Sequence, residues 1–341
     1  MARIAVEATG CDQGFLEVLK GANEVLKESK GLEIILVAGK DEIPDSFSLG
    51  KAKLELSEYT YDSTIKETQA ESSIYNAMQM HKDGEVDAVI APGDTRGAVG
   101  ASIDILGLMP KVLAPAIATH WPTTNVLIDS GGHPFATEYN LFQSAIMGHV
   151  FSKHYVGVEK PVVGVLANGH EKNKGNKFTM KSRALINRLH RDAGYDVLRG
   201  GEDRDKKGEW YFESNFYNDL DAGRVVVTDG MTGNILLKAA EGTAKLLLET
   251  LYKKVKDQNI LLQGCAYVGL RKPVKDMRSE FRYEEYAVAP LLGVDGVTMI
   301  AHGRSCSETI TNSIKRTCKY LGCNINDILR ESIDKYSKVK K

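Results

Sequence analysis

Short β-rich apolar runs separated by segments of helical period constrain this chain more than any other feature. Ile4–Ala8, Glu33–Ala38, Asp87–Ala91, Ala114–Thr119, Asn125–Asp129, Val162–Ala167 and Arg224–Thr228 read as strands. Apolar runs that lack strict polar alternation are buried on both faces, which requires helices above and below a sheet. The intervening stretches supply them. Gly14–Ser29, Ser72–His81, Arg96–Leu106, Thr137–Tyr155, Asn176–Ala193 and Asn234–Val255 mostly place apolar residues at i, i+3, i+4 and i+7. Ser305-x-x-Glu308 reads as a capping box opening a last helix that Gly322 closes. The expectation is an α/β fold built on a mostly parallel, doubly wound sheet.

No internal repeat and no low-complexity linker divides the 341 residues, so they are read as a single domain, 1–341. Two excursions leave its core: 197–218, dense in charge and Gly, and 257–285, an apolar patch flanked by Lys and Arg. The 44 basic residues nearly cancel the 45 acidic ones, which leaves no global field to hold nucleic acid or an anionic membrane. Five cysteines, with no C-x-x-C pair, write neither a disulfide framework nor a zinc ribbon and point to a reducing compartment. No leader-like segment opens the sequence and no run of 18 apolar residues occurs, so a cytoplasmic protein that does not span a membrane is expected.

Ligands of a doubly wound sheet collect beyond the carboxyl ends of its strands. Four strand-to-helix loops are therefore candidates: Ala8–Gly14, Pro92–Gly97, Asn168–Asn176 and Asp229–Asn234. Each carries Gly, which lets backbone N–H groups approach an anion at a helix N-terminus, although turn geometry alone explains most such glycines. None fits G-x-G-x-x-G or G-x-x-x-x-G-K-[ST], so no nucleotide or nicotinamide is implied. Lys172 and Lys174, beside Gly175 and Asn176, oppose a helix dipole unless an anion sits there, and phosphate is the expected anion. His120, His133, His170 and His302 show no i, i+4 pairing, and no metal site is expected. No G-x-S-x-G elbow is present. Cys306, at the foot of the last helix near Arg304, and Cys11, beside Asp12, are candidate thiols. A small buried apolar residue is the plainer reading of each.

Val162–Asn176, Val225–Gly242 and Ala289–Gly303 resemble signature stretches of the bacterial phosphate acyltransferases of phospholipid synthesis, the PlsX family. Arg3–Ala8, Ser72–Gly97 and Tyr139–Val150 extend the resemblance, in order, over most of the chain. It implies a three-layer α/β/α fold related to isocitrate and isopropylmalate dehydrogenases, a homodimer, and transfer of an acyl group from acyl-acyl-carrier-protein to inorganic phosphate. It places Lys174 and Asn234 at the family's catalytic Lys and Asn, with Gly175, Asn176 and Gly233 around the phosphate. No cofactor or metal is then needed, because a thiolate leaves readily and the protein must only hold the anion and stabilise the oxyanion. Ile260, Leu261, Leu262 and Leu270 fall where the resemblance places an apolar hairpin, a candidate contact with the bilayer or with a second subunit.

Departures from the family pattern bear on the substrate. The chain reads Glu7-Ala-Thr-Gly-Cys-Asp12 where the family is close to Asp-Ala-Met-Gly-Gly-Asp. It has Gly93-Asp-Thr-Arg96 for Gly-Asn-Thr-Gly, and Gly131-Gly-His-Pro-Phe135 for a Gly-Ala-Asn-Val-Asp stretch. Asp94 would repel a phosphate, and Arg96 is the compensating, candidate phosphate-binding cation. Two alternatives follow: a subunit like that of glycine reductase component C, releasing acetyl phosphate with Cys11 or Cys306 carrying an acyl group, and a degenerate binding or regulatory subunit. The joint presence of Lys174, Gly175, Asn176 and Asn234 opposes the second.

Overall fold

Strand Ala2–Glu7 (β1) buries Ile4, Ala5, Val6 and Glu7 and is paired on both edges, which is why its sequence lacks polar alternation. The computed structural model describes residues 2–61, 70–120, 124–167, 175–193, 223–257, 269, 272 and 288–337. Its other strands are Leu32–Gly39 (β2), Lys53–Ser57 (β3), Ala88–Ala91 (β4), Ala116–His120 (β5), Val126–Ile128 (β6), Val162–Val165 (β7), Arg224–Val227 (β8), Val288–Leu292 (β9) and Thr298–Ala301 (β10). All lie in one sheet of order β3-β2-β1-β4-β10-β9-β5-β6-β8-β7. The strands β3, β2, β1, β4 and β10 are mutually parallel, as are β6, β8 and β7. Antiparallel pairs through β9 and β5 join the two sets.

Alternate residues of each strand feed alternate faces. Ile4 and Val6 pack into the layer of Phe15–Glu28 (α1), Glu138–Phe151 (α4), Lys177–Ala193 (α5), Ser307–Gly322 (α7) and Ile325–Ser337 (α8). Ala5 faces the layer of Ser73–Lys82 (α2) and Thr95–Ala101 (α3). Leu127 and Val226 face Leu236 and Leu237 of Gly230–Lys256 (α6). Helix α4 is apolar nearly all round because it is enclosed by the sheet, α5 and α8, with the Phe142 ring 6.1 Å from that of Tyr336. The three-layer, mostly parallel architecture is the one expected. Among the described residues no helix is long and apolar enough to cross a membrane.

Several local expectations are corrected. Strands β3, β9 and β10 and helix α8 are missing from the expected elements: β3 is short and half-exposed, β9 overlaps the start of Ala289–Gly303 and β10 lies within it, a stretch read as a motif alone. The last-helix capping box does not form, since Cys306 is the N-cap residue and Ser305 Oγ donates to the His302 carbonyl. Glu17 of α1 caps that helix instead, its carboxylate accepting from Ser307 N at 2.8 Å. The helix does end at Gly322, but the left-handed residue that turns the chain is Asn324, with φ 53°, and a further helix, α8, follows it. The 197–218 excursion lies outside the described residues, as does most of 257–285.

Candidate active site

A cleft of about 350 Å³ opens where β1 and β4 end, with Glu7, Gly10, Asp12, Tyr61, Asp94 and Gly303 in its lining. Its floor is built from Glu7, whose carboxylate accepts from Thr9 N, Thr9 Oγ1, Gly10 N and Ser73 Oγ at 2.7–3.1 Å. Complete burial pushes this carboxyl above the usual carboxylate range, while those donors pull the other way. Gly93 is glycine where the loops touch, since a Cβ there would lie 3.1 Å from the Gly10 carbonyl oxygen, and a Cβ on Gly10 would lie 2.5 Å from Glu7 Oε2. Asp94 turns its carboxylate onto the first turn of α3, accepting from Arg96 N at 2.9 Å. The Arg96 side chain is 84% exposed, with Nε 3.8 Å from Asp94 Oδ1.

A second constellation lies in the other parallel set, where the loop after β6 meets the loop after β8. The Asp129 carboxylate accepts from the backbone N–H groups of Ile117, Gly131, Gly132 and His133 at 2.5–3.1 Å. Its burial raises the carboxyl pKa against the pull of those four donors. Gly230 and Gly233 pack on this knot. A Cβ on Gly233 would lie 1.9 Å from the Asp129 carbonyl oxygen, and one on Gly230 would lie 2.9 Å from both Asp129 Oδ2 and His133 N. The interlock sets the exposed Asn234 against Gly131. Phe135, in the loop that departs from the family pattern, is 85% exposed.

Helix α6 begins at Gly230, four residues before the expected start at Asn234, because Asp229 is the N-cap: its carboxylate accepts from Thr232 N and Thr232 Oγ1. Gly233 N is thereby committed to the Asp229 carbonyl at 2.9 Å. The Gly233 N–H is therefore not available to a substrate, and the side chain of the exposed Asn234 is the donor beside it.

The third loop is described only from Gly175, and Lys174 lies outside the described residues. Gly175 has φ +100°, a conformation that suits glycine. Asn176 caps α5: its Oδ1 accepts from Thr179 N and Thr179 Oγ1, and its N–H donates to Thr179 Oγ1 at 3.1 Å. Both Asn176 groups are thus used locally. Buried Arg183 places Nη2 3.4 Å from where a Gly175 Cβ would be. Ile260, Leu261, Leu262 and Leu270 also lie outside the described residues.

The candidate thiols are not alike. Cys11 is buried, donates Sγ–H to the Gly303 and Ser305 carbonyls at 3.2 Å, and has its pKa raised chiefly by burial, which opposes a role as an acyl-carrying nucleophile. Cys306 is half-buried, with Sγ 3.4 Å from Thr309 Oγ1. Sequence reasoning passed over Asp129, Tyr61 and Lys238. The last donates Nζ–H to His302 Nε2 at 2.7 Å, joining α6 to the loop after β10.

Comparison with known proteins bears on this arrangement. A family model described as fatty acid synthesis protein matches residues 2–327. A phosphate acyltransferase of Campylobacter concisus is 33% identical over 349 residues, covering 99% of this chain and 100% of that protein. Another, of Aliarcobacter butzleri, is 30% identical and covers 99% of each. Among solved structures, a branched-chain phosphotransacylase from Enterococcus faecalis superposes with TM-score 0.55 at 13% identity over 94% of this chain and 99% of that one. A 4-hydroxythreonine-4-phosphate dehydrogenase from Klebsiella pneumoniae does so with TM-score 0.51 at 12% identity, over 94% and 100%. At such identities the superpositions speak to the fold alone.

Proposed function

The chain belongs to the phosphate acyltransferase (PlsX) family of fatty acid and lipid synthesis, and on that premise we propose that its acyl donor is an acyl-acyl-carrier-protein and its product the acyl phosphate used in phospholipid synthesis. The enzyme is a phosphate acyltransferase. The observation that carries the finer reading is the interlock of 129–133 with 229–234, which presents the Asn234 amide beside Gly131 at an exposed edge.

A phosphate oxygen attacks the thioester carbonyl, the C–O bond forms, the C–S bond breaks, and the proton given up by hydrogen phosphate leaves with the sulfur. Asn234 donates to the oxyanion of the tetrahedral intermediate. Lys174 is assigned to the phosphate as a point charge, with Gly175, Asn176 and Gly233 shaping its loops and Arg96 a further cation at the cleft. Every bond change lies between the two substrates, so no cofactor is assigned. A homodimer in the cytoplasm is the proposed assembly, with Ile260, Leu261, Leu262 and Leu270 as its membrane or subunit contact.

The test is mass spectrometry of products from purified protein, inorganic phosphate and matched short and long acyl groups, each carried on acyl carrier protein or on coenzyme A. Long-chain acyl phosphate from the carrier-protein thioester is the expected product. Acetyl phosphate alone would replace this reading with the glycine-reductase-like one, and no acyl phosphate from any donor would remove it.

A further inference from the structure

Helix α6 carries more of the candidate site than Asn234. Asn234, Lys238 and Glu241 stand at i, i+4 and i+7 and therefore share one face, with Cβ atoms of successive members roughly 5–6 Å apart. Lys238 Nζ is held at two points, 2.9 Å from Glu241 Oε2 and 2.7 Å from His302 Nε2. An ammonium carries only donors, so His302 Nε2 is the acceptor and the ring is neutral. This matters for charge. Glu241 pairs with the ammonium as a half-exposed i, i+3 ion pair, and His302 draws the same group toward the β10 loop without adding a negative charge. Gly303, the next residue, lines the cleft and accepts from Asp12 N at 2.7 Å. Lys238 thus stands one helical turn from Asn234 and, through His302, next to a residue of the cleft lining. Its side chain is 45% exposed, which leaves it accessible to a ligand.

We propose that Lys238 is a phosphate-binding residue of the acyl-transfer site and that His302 is the residue that positions it. The assignment rests on the phosphate acyltransferase reading above. A third N–H of the ammonium meets a phosphate oxygen while Asn234, one turn away, serves the acyl carbonyl. Four charged groups face His302: Lys238 and Glu241 from α6, Arg304 from its own loop and Asp12 from the loop after β1. Burial first, then Lys238, holds its pKa below the usual imidazole value. The ring is neutral at pH 7 and becomes an imidazolium opposed to the ammonium only on the acid side.

Two measurements test this: initial rates of acyl phosphate formation from a long-chain acyl carrier protein, and a 31P titration of the free protein with inorganic phosphate alone. Lys238→Ala is expected to raise the phosphate KM by about tenfold or more with a smaller change in kcat, and Lys238→Arg to recover most of the loss. His302→Gln, which keeps a neutral acceptor, is expected to retain the neutral-pH rate and to leave only the acid-side fall in kcat/KM that protonation of inorganic phosphate itself causes, a shallower fall than that expected of wild type. His302→Ala lowers kcat/KM at every pH. Lys245→Ala, two turns along the same helix in an exposed pair with Glu249, leaves the kinetics unchanged. Should Lys238→Ala unfold, Lys238→Gln replaces it. A phosphate KM within about twofold of wild type in Lys238→Ala or Lys238→Gln, or an acid limb in His302→Gln identical to that of wild type, overturns the proposal. A wild type that yields no acyl phosphate, yet binds phosphate in a Lys238-dependent way, removes the proposed function and leaves this site standing.

Discussion

The backbone of Gly233 and the carbonyl oxygen of Asp129 stand so close that a Cβ on residue 233 would lie 1.9 Å from that oxygen. The obstacle is backbone, tied down by four N–H bonds to the Asp129 carboxylate, so it cannot swing aside as a flexible side chain would. Gly233→Ala must push the two loops apart. The expected cost is about 1–3 kcal/mol in urea unfolding, with a larger fractional loss of turnover than of stability, because Asn234 is the next residue. An alanine variant with wild-type kcat would separate the interlock from the chemistry.

Cys11 and Cys306 both read as candidate nucleophiles, and the fold distinguishes them. Cys11 donates to two carbonyls inside the protein, and burial raises its pKa, so it is a poor thiolate near neutral pH. Alkylation of the native protein followed by peptide mass mapping is expected to label Cys11 last among the four described cysteines. Cys11→Ser is expected to keep acyl phosphate formation. Trapping an acyl group on Cys11 would reverse this.

The strands were legible because double-sided burial leaves continuous apolar runs, and β1, β4 and β8 fall where such runs lie. Strand β3 was not legible: its burial pattern, with Lys53 and Glu55 outward, is that of a sheet edge. The start of α6 was misplaced because Gly230 and Gly233 look like loop residues in sequence, when they are glycine to let a helix press on Asp129. Asp129 itself gave no signal, since four backbone donors converge on it only after the loops fold. The Lys238–His302 contact joins residues 64 positions apart, and no local pattern announces such a pair.

His120 gives the fold a testable acid sensitivity. Its ring packs against Phe151 and Tyr155, and burial, with Arg316 and Lys319 nearby, lowers its pKa to about 3. The unfolded chain, near 6.5, therefore binds the proton more tightly. The contribution of the neutral ring is complete above about pH 6.5 and is lost as the pH falls toward the folded value. His149, lowered to about 4 mainly by burial, acts in the same sense. Glu7 and Asp129, raised by burial, act in the opposite one, so a variant must isolate the His120 share. Between pH 6.5 and 4.5 wild type is expected to lose about 2 kcal/mol more than His120→Phe, measured by urea unfolding at each pH. Equal losses would place the imidazole outside this balance.

Asp94 and Arg96 are where the chain departs from its family at the edge of the first cleft, and the structure changes what the pair is expected to do. A carboxylate at about 4 Å from a phosphate, at an effective dielectric near 20, costs roughly 4 kcal/mol per unit charge. Asp94 escapes much of that by turning onto the first turn of α3, where Arg96 N donates to it at 2.9 Å and the helix dipole favours its charge. The guanidinium, 84% exposed and 3.8 Å away, is a weak partner by comparison. Asp94→Ala is therefore expected to cost about 1 kcal/mol of stability through the lost cap, and Asp94→Asn close to nothing, since Asn caps as well as Asp. Coupling between the two side chains in a stability cycle should stay below about 1 kcal/mol. The kinetic cycle carries the functional information. If Arg96 serves the phosphate, Arg96→Ala raises its KM both alone and in the Asp94→Asn background, because the arginine then acts on the ligand rather than on Asp94. A loss that vanishes in the Asn background would mean that Arg96 only offsets its neighbour, and an Arg96→Ala enzyme with unchanged kinetics would leave the phosphate to the other loops.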